Sequence, residues 1–193
     1  MITNKEEYLY YIQQDALALG IDNKTLRSKA ERLIIVNVIY EFQKKLRKIE
    51  YYKNCRTDLF SKFIYGCMKI RFLKLSRRLG FSIPENVFGP GLSIVHYGTI
   101  VVNANAKVGA NCRIHPSTCI GASGGNSMAP IIGDNVYIAP GAKIYGNITI
   151  SNNIAISANA AVGKSFFEEN IMIGGVPAKK IKEVNIKNII KHL

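Results

Sequence analysis

No apolar run in this chain is long enough to cross a bilayer. The longest uncharged one, LIIVNVIY, covers Leu33–Tyr40, well short of the roughly 20 residues that a spanning helix needs. The opening stretch MITNKEEYLYYIQQD is polar and acidic, without the basic start and apolar middle of a secretion signal. Cysteine is sparse: Cys55, Cys67, Cys112 and Cys119 form no CxxC pair and no metal-ligand spacing, which fits reduced thiols. Histidine is rarer still, at His96, His115 and His192. These shortages argue against a membrane span, a disulfide scaffold and a metal site. What they leave is a cytoplasmic protein of one domain, or of a small domain with an appendage. Its 193 residues, 48% hydrophobic, suffice for a real core.

Acidic residues are also few, 13 against 26 Lys and Arg, and the imbalance is local. Residues 1–40 carry five basic and five acidic side chains, whereas residues 41–80 carry twelve and three. Such a basic segment suits a membrane surface, a polyanion or an acidic substrate, or is simply a solvated helix face.

The first eighty residues read as helices. TNKE (Thr3 to Glu6) has capping-box spacing ahead of YLYYIQQDALALG, and Gly20 makes a stop. Asn23 is placed to cap a long second helix with apolar positions Leu26, Leu33, Ile39, Phe42, Leu46 and Ile49. A third helix is expected from Thr57 or Asp58 to Gly80, with Leu59, Phe60, Phe63, Ile64, Cys67, Phe72 and Leu79 as its apolar side.

After GFSIPENVFGPG the period becomes six. Aliphatic residues stand at Val102, Val108, Ile114 and Ile120, then at Ile132, Ile138, Ile144, Ile150, Ile156 and Val162. Four residues after most of them comes a small or branched side chain: Ala106, Cys112, Thr118, Val136, Ala142, Ile148, Ile154, Ala160. Asn, Gly or Ser recurs three residues after, at Asn105, Asn111, Ser117, Asn135, Gly141, Asn147, Asn153, Asn159 and Ser165. Two inward positions per hexad describe a short strand with alternating faces. Residue types that tolerate left-handed backbone mark a corner after it. Strand and corner repeated every six residues make a solenoid of stacked coils.

This pattern is the hexapeptide repeat, and over residues 81–182 the chain resembles the acyltransferases built on a left-handed parallel β-helix. GGVPAKKIK (174–182) resembles the family's usual closing segment, and the helical start followed by HYGTIVV resembles the serine acetyltransferase branch and its relatives that acetylate surface polysaccharides. The resemblance implies a mainly β fold, with an N-terminal helical region over 1–80, the β-helix over 81–182 and a tail over 183–193. It also implies an eighteen-residue triangular coil, a homotrimer with active sites between subunits, acetyl-coenzyme A as donor and no metal. The cofactor edge falls on Ala104, Gly121, Ala122, Pro140, Ala158 and Lys164; of these, Ala104, Ala122, Pro140 and Ala158 stand eighteen apart and are expected to stack into one ridge. The segment GASGGNSMAPIIG (121–133) corresponds to a projecting loop that helps to close the site.

Counting back six from Val102 puts His96 where an aliphatic is expected. VHYG also resembles the family's catalytic element, so His96 is assigned as general base and His115, near a corner, as a second candidate. A neutral imidazole can take the acceptor's hydroxyl proton while the oxygen attacks a thioester. His192 is expected to be solvated. The family's acids have no counterpart here, since Val95 and Phe81 occupy their positions and Ala129 replaces a second histidine. The expected activity is therefore acetyl transfer to a hydroxyl of serine or of a surface-polysaccharide sugar, with a silent trimeric scaffold as the alternative. A carbonic-anhydrase-like metal site needs three histidines where the solenoid has two, and no nucleic-acid motif accompanies the basic charge. Lys62, Lys69, Lys74, Arg77 and Arg78 on the third helix suit weak contact with an anionic membrane surface.

Overall fold

The structure, a computed structural model, describes residues 1–21 and 38–193. Asn23, Leu26 and Leu33 lie outside the described residues.

Helix α1 spans Lys5–Ala18. Its cap is Asn4 and not Thr3: the Asn4 side chain accepts from the Glu7 N–H at 2.8 Å. Thr3 donates its N–H and hydroxyl to the Glu7 carboxylate at 2.7 and 2.9 Å. The reciprocal pair thus sits one residue later than TNKE implied, because Glu7, not Glu6, stands three residues beyond the cap. Helix α2 covers Val38–Cys55 and buries Ile39, Phe42, Leu46 and Ile49, as their spacing predicts. Helix α3 covers Leu59–Leu79 between an Asp58 cap and Gly80, whose φ of 77° ends it in left-handed backbone.

The apolar side predicted for α3 divides into two faces. Tyr65, Met68, Phe72, Leu75 and Leu79, at alternating steps of three and four, pack on the core. Leu59, Phe60 and Phe63 instead stand 85%, 73% and 70% exposed, with Cys67 and Ile70 on the same open side. Phe42 joins the helices to the solenoid, stacking on Phe72 at 5.0 Å and meeting Phe81 edge-on at 4.9 Å.

From Phe81 onward the chain winds through three flat faces. The first face is built from Phe81–Ser82, Ile100–Val102, Thr118–Gly121, Lys143–Tyr145 and Ala161–Val162. The second contains Lys107–Val108, Ile131–Ile132 and Thr149–Ile150. The third contains Ser93–Ile94, Arg113–Ile114, Tyr137–Ile138, Ala155–Ile156 and Ile171–Gly174, and closes with Lys179–Glu183. All pairings are parallel except that of the last two strands, an antiparallel hairpin over the expected closing segment. Both inward columns read from the sequence are buried throughout, Val102 to Val162 and Ala106 to Ala160. The corner column holds left-handed backbone at Asn111, Ser117, Asn135, Gly141, Asn153 and Asn159. Cys112 is a packing residue, and burial pushes its thiol up to about 12.

A solenoid's first coil has no coil above it, so its backbone groups need other partners. The helices supply them. Arg47, fully buried, grips Asp15 at 2.8 and 3.2 Å and Glu50 at 3.0 Å. It also donates to the carbonyls of Phe88 and Gly89 at 2.9 and 2.7 Å. Asp15 accepts from the Leu92 N–H, and Glu50 from that of Asn86. Gln43 bonds Leu92 O at 2.6 Å and accepts from the Ile94 N–H. The helical region is thus the lid of the β-helix.

Candidate active site at the third-to-first corner

His96 lies at the corner between the third and first faces, and it is exposed. It does not interrupt the inward aliphatic column. Ile94 holds that position, paired with Ile114 and fully buried. Ser93 pairs with Arg113, a spacing of twenty rather than eighteen, so the corner before Ile100 carries two extra residues. Gly98 permits this bulge: its φ is 136°, and a Cβ there would meet the Cβ of Pro116 at 3.1 Å.

His115 occupies the same corner one coil further on. It is half-buried, and its ring meets Tyr137 edge-on at 5.1 Å. Its Nδ1 lies 3.0 Å from the carbonyl of Ile138. A carbonyl only accepts, so Nδ1 carries the proton and the neutral ring offers its Nε2 lone pair. Burial pushes the His115 pKa below the ordinary histidine value. The Ile138 carbonyl partly offsets this, while the nearby charges of Arg113 and His96 add to it. His96 and His115 therefore stand on neighbouring coils of one corner, within electrostatic reach of each other.

The expected ridge is not continuous. Ile120 and Ile132 stand on consecutive faces, so the Gly-rich segment between them is looped out. That coil becomes twenty-four residues long, as the pairing of Cys119 with Lys143 shows. Ala104 and Ala122 stack at the first-to-second corner, where Gly146 and Lys164 continue the row. Pro140 and Ala158 continue Pro116 at the third-to-first corner, beside the histidines. The residues expected to hold the cofactor thus separate into Ala104, Gly121, Ala122 and Lys164 on one edge and Pro140 and Ala158 on another. The loop itself turns through left-handed backbone at Gly124 and Gly125 and is exposed from Ser123 to Met128.

His192 also departs from expectation. The tail folds back on the third face through Ile186 and Ile190 and leaves His192 half-buried, with Nε2 lacking a hydrogen-bond partner. Among the described residues, no group of three or more His, Cys, Asp or Glu is arranged to hold a metal.

The coil order, the corner histidines and the capping helices define a left-handed parallel β-helix of the hexapeptide-repeat type with a helical N-terminal region. No protein-family profile matches the chain. Its sequence relatives are nonetheless consistent. A serine acetyltransferase of Staphylococcus xylosus is 35% identical over 102 residues, covering 52% of this chain and 47% of that protein. One from Staphylococcus aureus (strain N315) is 33% identical over 106 residues, covering 54% and 49%. The chain spans about half the length of these curated relatives. Among solved structures, the serine acetyltransferase of Brucella abortus superposes with a TM-score of 0.67 at 23% identity, covering 94% of this chain and 72% of that one. That of Neisseria gonorrhoeae gives 0.69 at 24% identity, covering 95% and 70%. The Brucella abortus enzyme has also been solved with coenzyme A, and that structure matches with a TM-score of 0.67 at 23% identity, covering 94% and 70%. These sequence relatives and these structural neighbours alike are serine acetyltransferases.

Proposed function

We propose that this chain transfers the acetyl group of acetyl-coenzyme A to a hydroxyl, with His96 as general base. The observation that carries the proposal is the placement of two histidines, His96 and His115, on successive coils at one corner of a solenoid related in sequence to serine acetyltransferases. In this mechanism His96 accepts the acceptor's hydroxyl proton as its oxygen bonds to the thioester carbonyl carbon. The tetrahedral adduct collapses with cleavage of the carbon–sulfur bond. The imidazolium returns the proton to the departing thiolate, and no acyl-enzyme forms. His115, with its Nδ1–H committed to Ile138, presents Nε2 to accept a hydrogen bond from the acceptor.

The acceptor is serine or a hydroxyl of a surface-polysaccharide sugar. The names of the relatives support serine. Val95, Phe81 and Ala129, which replace the acids and the second histidine of that branch, support the sugar. The two rows of small residues support a site shared between copies in a trimer. The projecting loop and Ala104, Ala122 and Lys164 leave one end of the first face, and the histidines stand at the other. A neighbour related by threefold symmetry brings the two ends together.

Among the described residues no helix is long and apolar enough to cross a membrane. The open side of α3 supports peripheral contact instead. Phe60, Phe63 and Ile70 are flanked by exposed Lys62, Arg71, Lys74, Arg77 and Arg78, the make-up of an interfacial helix. Lys69, expected on that side, turns inward to pair with Glu85.

Free coenzyme A release, followed with serine and with sugar acceptors, tests the catalytic reading. Replacing His96 by Ala is expected to lower turnover by about 10²–10⁴-fold, the usual worth of a general base. A second reading, with His115 as the base, is favoured by its fixed tautomer. It requires the reverse: near-normal turnover in His96→Ala and a dead His115→Ala. If no acceptor supports turnover in the unaltered chain, the protein is a silent scaffold.

A further inference from the structure

A cavity of about 380 Å³ lies between the C-terminal end of α1, the outer side of the third face and the tail. Ser93, Val95, Arg113, Lys191 and His192 line it, and among the described residues no carboxylate does. Some cations elsewhere in the molecule are matched: Arg47 holds Asp15 and Glu50, Lys69 holds Glu85, and Lys180 holds Glu168. Among the described residues Arg113 and Lys191 have neither an ion pair nor a side-chain hydrogen bond, and His192 contributes a buried Nε2 with no partner. The end of α1 does not use them up. The Ala16 and Leu17 carbonyls take the N–H groups of Ile21 and Gly20, and neither cation bonds the helix's last turn.

The cavity adjoins the histidine corner. Val95, in its wall, is followed directly by His96. Arg113 and His115 flank the inward Ile114, so they emerge on the same outer side of the third face. Arg113 is also within electrostatic reach of both His115 and His192. A guanidinium, a lysine ammonium and an imidazole nitrogen form a donor set for an oxyanion, which guanidinium can bind in bidentate fashion.

We propose that this cavity binds an oxyanionic group of the acceptor, a carboxylate or a phosphate, on Arg113 and Lys191, with His192 Nε2 as a further hydrogen-bonding atom, so that the hydroxyl to be acetylated lies at His96. The assignment to the acceptor rests on the acetyltransferase reading; the anion site itself does not. The carboxylate would come from an amino acid such as serine, and the phosphate from a sugar phosphate.

Ligand-observed NMR on the full chain, without acetyl-coenzyme A, tests the site directly. The probes are L-serine, glucose 1-phosphate and, as a neutral control, methyl glucoside. At least one anion is expected to bind, more weakly at higher salt, and at least tenfold more tightly than the neutral sugar. Tighter serine binding identifies a carboxylate site, and tighter sugar phosphate binding a phosphate site. The double variant Arg113→Gln/Lys191→Gln, its fold checked by circular dichroism, is expected to lose about 10–100-fold in anion affinity, as for lost charge-assisted hydrogen bonds. Absence of binding by both anions, or equal binding by the variant, overturns the site. In the coenzyme A release assay the variant's KM for the anionic acceptor is expected to rise by a similar factor while kcat changes by less than about threefold. Anion binding that is lost in the variant with no change in KM would overturn the assignment to the acceptor. Anion binding without any turnover in the unaltered chain would count against the acetyltransferase reading and leave the anion site standing.

Discussion

Replacing Arg47 by Met should be among the most damaging single changes in the molecule. Arg47 makes five hydrogen bonds, three to Asp15 and Glu50 and two to the carbonyls of Phe88 and Gly89. Burial opposes its charge, but the two carboxylates outweigh that cost and hold the guanidinium pKa above its ordinary value. Without it, Asp15 and Glu50, 1% and 2% exposed, face each other with only the backbone N–H groups of Leu92 and Asn86 as described hydrogen-bond donors. Breaking one arm of a buried ion cluster costs about 3–5 kcal/mol. At a urea dependence of about 2 kcal/mol/M, the midpoint falls by about 2 M. Circular dichroism and tyrosine fluorescence can follow the loss, the chain having ten Tyr and no Trp. A triple variant, Asp15→Leu/Arg47→Met/Glu50→Leu, makes the test sharper. Apolar replacement of a whole buried ion cluster is often neutral or stabilising. Here it should not rescue, because Leu92 N–H, Asn86 N–H and the Phe88 and Gly89 carbonyls would lose their partners at the solenoid's open end, at about 1–3 kcal/mol for each one left buried. A triple variant as stable as the unaltered chain would refute the capping role.

Two further outcomes are expected. Light scattering should give about three times 21.4 kDa, and a stable dilute monomer would remove the shared-site arrangement. Vesicles containing phosphatidylserine should retain the chain at low salt and release it at high salt, whereas Phe60→Glu/Phe63→Glu should not bind. Equal recovery on neutral vesicles, or retention of the double variant, would count against docking through α3.

The parts of this fold legible in advance are those set by local repetition. From Val102 to Val162 each inward residue could be placed by counting in sixes, because one hexad makes one strand and one corner whatever lies beside it. Asp58 and Gly80 bound α3 for an equally local reason, one side-chain oxygen and one left-handed glycine. Stacking between coils is not local. The looped-out segment after Gly121 shifts every later coil by six relative to its predecessors, and this separates Pro140 and Ala158 from Ala104 and Ala122. The Arg47 cluster joins residues 32 and 42 positions apart, with no pattern in the sequence to announce it. On α3 the two apolar stripes carry similar residues, and only the position of Phe42 and Phe81 decides which one is covered.

His96 shows most clearly why a candidate site escapes the count. A regular coil places its side chains either inside, where they pack, or on flat outer faces, where they have little to converge on. Counting in sixes assigned His96 to the inside and made it an odd residue in the core. The two extra residues of its corner remove it from the lattice altogether, while Ile94 keeps the core filled. Gly98 bears the cost of that detour, with a positive φ and a place where a Cβ would crowd Pro116 at 3.1 Å. The corner carries on its next coil the imidazole of His115, hydrogen-bonded to Ile138, and beside it the charge of Arg113. Irregularity in the repeat is therefore informative in itself. Where a solenoid departs from its period without losing its core, the extra residues are free of packing duty, and chemistry can be placed on them.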